Sequence, residues 1–157
     1  MSEPVSVFRA VSAPAQTVWA LVSDVTRMGQ WSPETRSCRW LRGATAAALG
    51  ASFQGSNRNR NRRWKTSCTI DECEPGKSFG FYVHFGPKRL SHWSYRFEET
   101  NEGTSCVVTE SMTNFVGPRM SKMGGMISGV SDRSTHNRAT MTTTLANLAA
   151  AAEGGSK

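Results

Sequence analysis

The stretch SFGFYVHFGPKRLSHWSYRFEE, residues 78–99, reads as two strands joined by a tight reversal. Successive side chains of a strand point to opposite faces, so Phe79, Phe81, Val83 and Phe85 share one side of the first run. Trp93, Tyr95 and Phe97 share one side of the second in the same way. Between them Gly86-Pro87-Lys88 favours a reversal and not a crossover. Two aromatic faces set side by side must point away from water, which predicts an antiparallel sheet with one apolar face.

Working outward, the same period of two continues on both sides, with strands predicted near 35–42, 51–57, 63–73, 78–85, 90–99 and 105–114. Gly43 to Gly50, Glu74-Pro75-Gly76-Lys77 and Asn101-Glu102-Gly103 supply further turns, and the Asn-Arg run Asn57 to Arg63 reads as an exposed hairpin tip. Upstream, Val5, Val7 and Val11 form a first strand that ends at Ser12-Ala13-Pro14, which offers a cap and a proline for a first helical turn. Val18, Leu21, Val22 and Val25 then recur at the spacing of one buried helical face, and Asp24 to Gly29 closes that helix with room for a second short one before Trp31. Downstream, Gly117 to Gly129 mixes Met120, Met123 and Met126 with Gly124, Gly125 and Gly129 and reads as a mobile flap. A long helix capped by Ser131 or Asp132 follows, with Met141, Leu145, Leu148 and Ala152 on one stripe. The expected organisation is α+β: one domain over residues 1–153 and a flexible tail at 154–157.

A chain of 157 residues suits one core, and 14 aromatics can carry it although the hydrophobic fraction is only 38%. Nothing approaches the roughly 20 apolar residues of a membrane helix, and the amino terminus lacks a basic stub followed by an apolar run. Cys38, Cys68, Cys73 and Cys106 form no CxxC pair, which predicts reduced thiols in a soluble cytoplasmic protein. His84, His92 and His136 sit at no metal-ligand spacing, so neither a metal nor a cofactor is expected. No GxSxG elbow and no phosphate-binding glycine loop occurs, which argues against hydrolase and nucleotide chemistry. The net charge of +7 is concentrated in part at Arg58, Arg60, Arg62 and Arg63, a solvated loop or a surface for an acidic partner; nucleic acid is not the expected one.

A curved sheet needs a cover, and the last helix provides it. Extended backward, however, its apolar stripe meets Ser134, Asn137 and Arg138. Polar residues there, facing a wall of aromatics, fit a small-molecule site as well as a filled core. The candidate lining is Trp31, Phe53, Trp64, Phe79, Phe81, Val83, Trp93, Tyr95, Met112 and Met141, with Met120, Met123 and Met126 as a gate. Glu110 shares its face with Cys106, Val108 and Met112, and an inward carboxylate needs a partner, for which Arg138 or Arg119 is available. Such a pair either locks helix to sheet or anchors a ligand's polar end; alternatively Glu110 acts as an acid or base with a raised pKa. Trp31 either anchors its turn or borders the cavity mouth. His136 either borders the entrance or lies exposed, and His84 and His92 fall on the face away from the aromatics.

Several segments in order resemble the START-like superfamily, also called the polyketide cyclase and dehydrase (SRPBCC) family. They are APAQTVW with Asp24, MGQWSPE, GASFQG, Trp64, EPGKSF, WSYRFE, Gly103-Thr104 with VTES at 108–111, and Met141 with TLANL at 144–148. The resemblance implies a helix-grip fold, in which a seven-stranded antiparallel sheet wraps around the carboxy-terminal helix with a cavity between them. It implies binding or transport of a lipid-like, aromatic or polyketide-like molecule. A cofactor-independent cyclase or dehydratase using the same cavity is the enzymatic alternative, partner binding through the hairpin 57–63 the electrostatic one, and a monomer or weak homodimer the expected state.

Overall fold

The structure, a computed structural model, describes residues 4–116 and 133–154. The chain runs through β1 (Val5–Val11), α1 (Ala15–Ser23), a 3₁₀ helix (Val25–Gln30), β2 (Thr35–Leu41), β3 (Ser52–Asn59), β4 (Arg62–Glu74), β5 (Ser78–Phe85), β6 (Lys88–Thr100), a short 3₁₀ turn (Asn101–Gly103), β7 (Ser105–Asn114) and α2 (Arg133–Gly154). All seven strands form one antiparallel sheet in the order β1-β7-β6-β5-β4-β3-β2. Only β1 and β2 are edges, and the helices between them in sequence cross from one edge to the other. This is the α+β helix-grip arrangement the resemblance implies.

Register turns the period-two pattern into an apolar face. Val5, Met112, Trp93, Phe81 and Ile70 stand in one row across the sheet, and Trp40, Phe53, Cys68 and Val83 in another. Against this face α2 lays Met141, Leu145, Leu148 and Ala152, each 2% exposed or less. The buried apolar residues fall into a large cluster that includes Leu145, Leu148, Phe79 and Val108, and a small one of Val5, Met112 and Met141. Half-buried Val7 and Trp93 pack against both.

Several local expectations are corrected. Ser12 does not cap α1: its N–H donates to Glu153 Oε2 at 2.9 Å, tying the end of β1 to the end of α2, and Pro14 is itself the N-cap. Phe85 is 79% exposed, because it ends the β5 ladder opposite Lys88 where no layer covers it. Asn57 is buried, not part of an exposed tip: its Oδ1 accepts from Thr35 Oγ1 at 3.1 Å and its Nδ2 donates to Thr66 Oγ1 at 3.3 Å. The strands therefore extend to Asn59 and Arg62, and the reversal is made by Arg60, with φ 56°, and Asn61. Gly154, expected in the tail, is the last helical residue. The flap 117–129 and the cap Ser131 or Asp132 lie outside the described residues.

The 3₁₀ helix is pressed onto β2, and Gly29 is the point of closest approach: a Cβ there would collide with the backbone carbonyl of Arg36. Gly29→Ala is predicted to destabilise the protein by about 1–3 kcal/mol, the usual cost of overpacking a rigid contact. Urea denaturation measures it, and a midpoint unchanged from the parent would show that the helix is not held there.

Candidate functional site

Strand alternation on β7 buries Cys106, Val108, Glu110 and Met112 and leaves the residues between them half-exposed. Glu110 thus enters the apolar face with only 3% of its surface exposed. Its row reads Val7, Glu110, Tyr95, Phe79, between the row of Met112 and that of Val108, where the small apolar cluster meets the large one. The phenol of Tyr95 donates to Glu110 Oε2 at 2.8 Å. Oε1 is buried and has no hydrogen-bond partner among the described residues.

Burial pushes the Glu110 carboxyl from its ordinary 4.5 up to about 8, with the Tyr95 bond pulling weakly the other way. The Tyr95 phenol is held well above its own usual range, first by burial and then by the Glu110 charge and hydrogen bond. Near neutrality Glu110 is therefore mainly the neutral acid. With Oε2 accepting from Tyr95, Oε1 is left to carry a proton that it can donate.

The sequence-predicted partner is corrected. Arg138 is exposed and donates through Nη1 to the Ser6 carbonyl at 3.1 Å, fastening α2 to the edge strand, and Tyr95 takes the place beside Glu110. Of the other candidates, Phe53, Phe79, Phe81, Tyr95, Met112 and Met141 are buried, Val83 and Trp93 half-buried, and Asn137 is buried on the helix. Phe53 and Phe81 meet edge to face with centroids 5.2 Å apart. Trp31 is buried beneath α2, its carbonyl accepting from Asn147 Nδ2 at 2.9 Å, with the Arg27 guanidinium 5.2 Å from its ring centre. His136 is half-buried, with Nε2 2.7 Å from Glu34 Oε2. Met120, Met123, Met126 and Arg119, and the side chain of Ser134, fall outside the described part.

Trp64 stands apart from this group. It lines an open depression of about 400 Å³ with Arg36, Ser56, Asn57, Arg58, Arg63 and Lys65, at the basic hairpin.

On the opposite face, three residues come together that their sequence spacing did not reveal. His92 Nε2 lies 2.9 Å from Asp71 Oδ1 and 3.9 Å from Glu72 Oε1. A register shift between Ile70 and Glu72 puts consecutive carboxylates within reach, and Gly80 on the intervening β5, in contact range of Glu72, has no side chain to separate β4 from β6. The ligand atoms lie within 4.8 Å of one another, the grouping a cation would need. Arg96 already pairs with Glu72 at 3.0 Å, so the cluster is internally compensated. His84, on the same face, contacts Thr69 Oγ1 at 2.9 Å. The four cysteines are free, and burial lifts the Cys38 thiol to about 11, which removes it as a nucleophile.

This geometry is that of a sheet gripping a helix over a buried acid, and the comparisons agree with the sheet-and-helix fold. The family described as polyketide cyclase / dehydrase and lipid transport matches residues 4–153, and the chain belongs to that family. The Polyketide_cyc-like protein Cgl2372 of Corynebacterium glutamicum is 30% identical, with 96% of this chain and 84% of that one covered and a TM-score of 0.50. The Zhui aromatase/cyclase of a Streptomyces species shares the fold at 16% identity, TM-score 0.66, over 99% of this chain and 96% of that one. So does ginseng major latex-like protein 151 of Panax ginseng, at 11% identity, TM-score 0.70, over 96% and 97%. No curated protein matches the sequence. Among the described residues no helix is long and apolar enough to cross a membrane.

The raised carboxyl makes stability depend on pH with a definite sign. Between 4.5 and about 8 the folded protein keeps a proton that the unfolded chain releases, so stability present below 4.5 is lost as pH rises through about 8. Glu110→Gln, uncharged throughout, is predicted to remove that slope and to be the more stable protein above pH 8. Urea denaturation of both proteins across this range gives the difference, and parallel profiles would contradict a buried neutral acid.

Proposed function

We propose that the protein binds an apolar small molecule, lipid-like, aromatic or polyketide-like, between the concave face of the sheet and α2, with the Tyr95–Glu110 pair holding the ligand's polar end. The observation that carries this reading is the partnerless Oε1 of Glu110. A buried polar atom without a partner costs about 1–3 kcal/mol, and a ligand oxygen placed against it offsets that cost. A neutral carboxyl donates, so the matching group is an acceptor, a carbonyl or ether oxygen. The aromatic rows of β3, β5 and β6, with Met112 and Met141 as adaptable neighbours, would bury the rest of the molecule at roughly 25 cal/mol per Å² of apolar surface. Family membership supports the reading, since its description names both cyclisation and lipid transport.

The same carboxyl favours an enzymatic second reading. An acid whose pKa is raised to about 8 is matched to proton transfer near neutral pH. A cyclase or dehydratase would use Glu110 to protonate a ligand carbonyl or carry off a proton, with the apolar walls folding the chain.

Native mass spectrometry of the purified protein is expected to reveal a copurified apolar compound. In fluorescence titrations, Glu110→Gln should keep the affinity for pure hydrocarbon or arene probes and change it by roughly tenfold for matched probes bearing a carbonyl. Turnover lost in Glu110→Gln while binding persists would establish the enzymatic reading. Absence of binding across the panel, together with a loss of stability in Met141→Trp of the size that overpacking a filled core costs, would defeat both.

A further inference from the structure

Two neighbouring hairpins turn at the same end of the sheet. Asn59 pairs with Arg62 at one tip and Phe85 with Lys88 at the other, and Ser67 pairs with His84 on the strands that join them. The first hairpin brings Arg58, Arg60, Arg62, Arg63 and Lys65 to that end, and the second brings Lys88 and Arg89. Neither segment, 57–65 or 85–89, contains an Asp or Glu. This places a large part of the +7 net charge on one edge of the molecule.

Among the described residues no ion pair compensates the cations of these hairpins. Arg58 and Arg63 are directly opposed across the ladder, a like-charged pair that works against the hairpin. Among the described residues the ion-paired cations are Lys77, His92, Arg96 and His136, and none belongs to these hairpins. The side chains are nonetheless positioned: Arg58 Nε donates to the Arg60 carbonyl at 2.8 Å, and the Arg89 guanidinium lies 4.0 Å from the centre of the Tyr82 ring. Beside the tip, Arg36, Arg58, Arg63 and Lys65 surround the open depression of about 400 Å³, room for a phosphate-bearing headgroup. Next to this cationic rim stands Phe85, 79% exposed.

We propose that this end of the sheet docks on the anionic surface of a phospholipid bilayer, with a headgroup phosphate among Arg36, Arg58, Arg63 and Lys65 and the Phe85 ring inserted alongside. Arginine forks suit phosphate oxygens, and a cation rim around a protruding apolar side chain is the combination that interfacial binding uses. A single-stranded nucleic acid would satisfy the charges, but stacking along such a strand needs a series of aromatic platforms, whereas one exposed ring suffices for a bilayer. The inference stands independently of what lies under α2. If the ligand there is a lipid, the same surface is where it would be exchanged.

The test is co-flotation of the full chain with vesicles of phosphatidylcholine alone and of phosphatidylcholine mixed with phosphatidylglycerol. The mixed vesicles are expected to carry the protein and the neutral ones to leave it behind. Each cation near such a surface is worth roughly fivefold in partitioning, so the variant Arg58→Ser, Arg60→Ser, Arg62→Ser, Arg63→Ser should lose at least about a hundredfold. Phe85→Ser should lose several-fold with all charges kept, and circular dichroism reports whether either variant is still folded. For the unmodified protein, raising salt from about 0.1 M to about 1 M shortens screening from about 10 Å to about 3 Å and should release it. Equal binding to both vesicles, retention by the folded four-Arg variant, or no flotation alongside tight binding to single-stranded RNA would each overturn the proposal.

Discussion

One face of a seven-stranded sheet is apolar from β2 to β7, and the rest of the molecule follows from the need to cover it. The meander cannot close on itself with only short hairpin links, so α2 is laid across the concave side. Its stripe from Met141 to Ala152 seals one half. The fastening is done at the margins by polar contacts: Arg138 to Ser6, Asn147 to Trp31, His136 to Glu34 and Ser12 to Glu153. These tie the helix to β1, to the chain just before β2 and to the end of β1, so both sheet edges help hold the cover in place. The helix is therefore clamped around its border while its interior face meets mostly hydrocarbon.

Among the described residues Glu110 is the buried carboxyl of that face. Sheet register forces its side chain inward, because a shift of one residue would expose Cys106, Val108 and Met112 together. A carboxylate so placed would need a charged partner; without one it stays protonated, with Tyr95 as its hydrogen-bond donor. The convex face solves the opposite problem. There Asp71, Glu72, His92 and Arg96 lie in a partly hydrated layer and compensate one another, so charge is retained where water can reach it. The contrast between a compensated charge cluster outside and an uncompensated acid inside is why the proposed function is built on Glu110.

Much of the fold could be read in the sequence because its signals are local. Period-two alternation and turn residues gave all seven strands to within a few positions, and the face of Glu110 followed from its neighbours on β7. What was not legible depends on distant pairing. Tyr95 and Glu110 lie on adjacent strands whose register no sequence spacing reveals, so charge alone points to Arg138 or Arg119, whereas Arg138 bonds the Ser6 carbonyl instead. The Asp71, Glu72 and His92 cluster needs a bulge and a glycine on a third strand. Asn57 looked like part of a polar tip because its composition matches Arg58 to Arg63, yet its amide is consumed by Thr35 and Thr66. Phe85 has the parity of an inward residue, but parity says nothing about where the covering layer ends.

The function proposed for the site depends on Glu110 being a neutral buried acid that a ligand meets. Carbon-13 NMR of the side-chain carboxyl, assigned by comparison with Glu110→Gln, follows its ionisation directly, first alone and then with a carbonyl-bearing apolar compound present. The account predicts a titration midpoint near 8 in the free protein, a shifted carboxyl signal on addition of the compound, and a midpoint moved further upward because the bound acceptor favours the protonated form. A midpoint near 4.5, or a carboxyl signal indifferent to every bound compound, would contradict it.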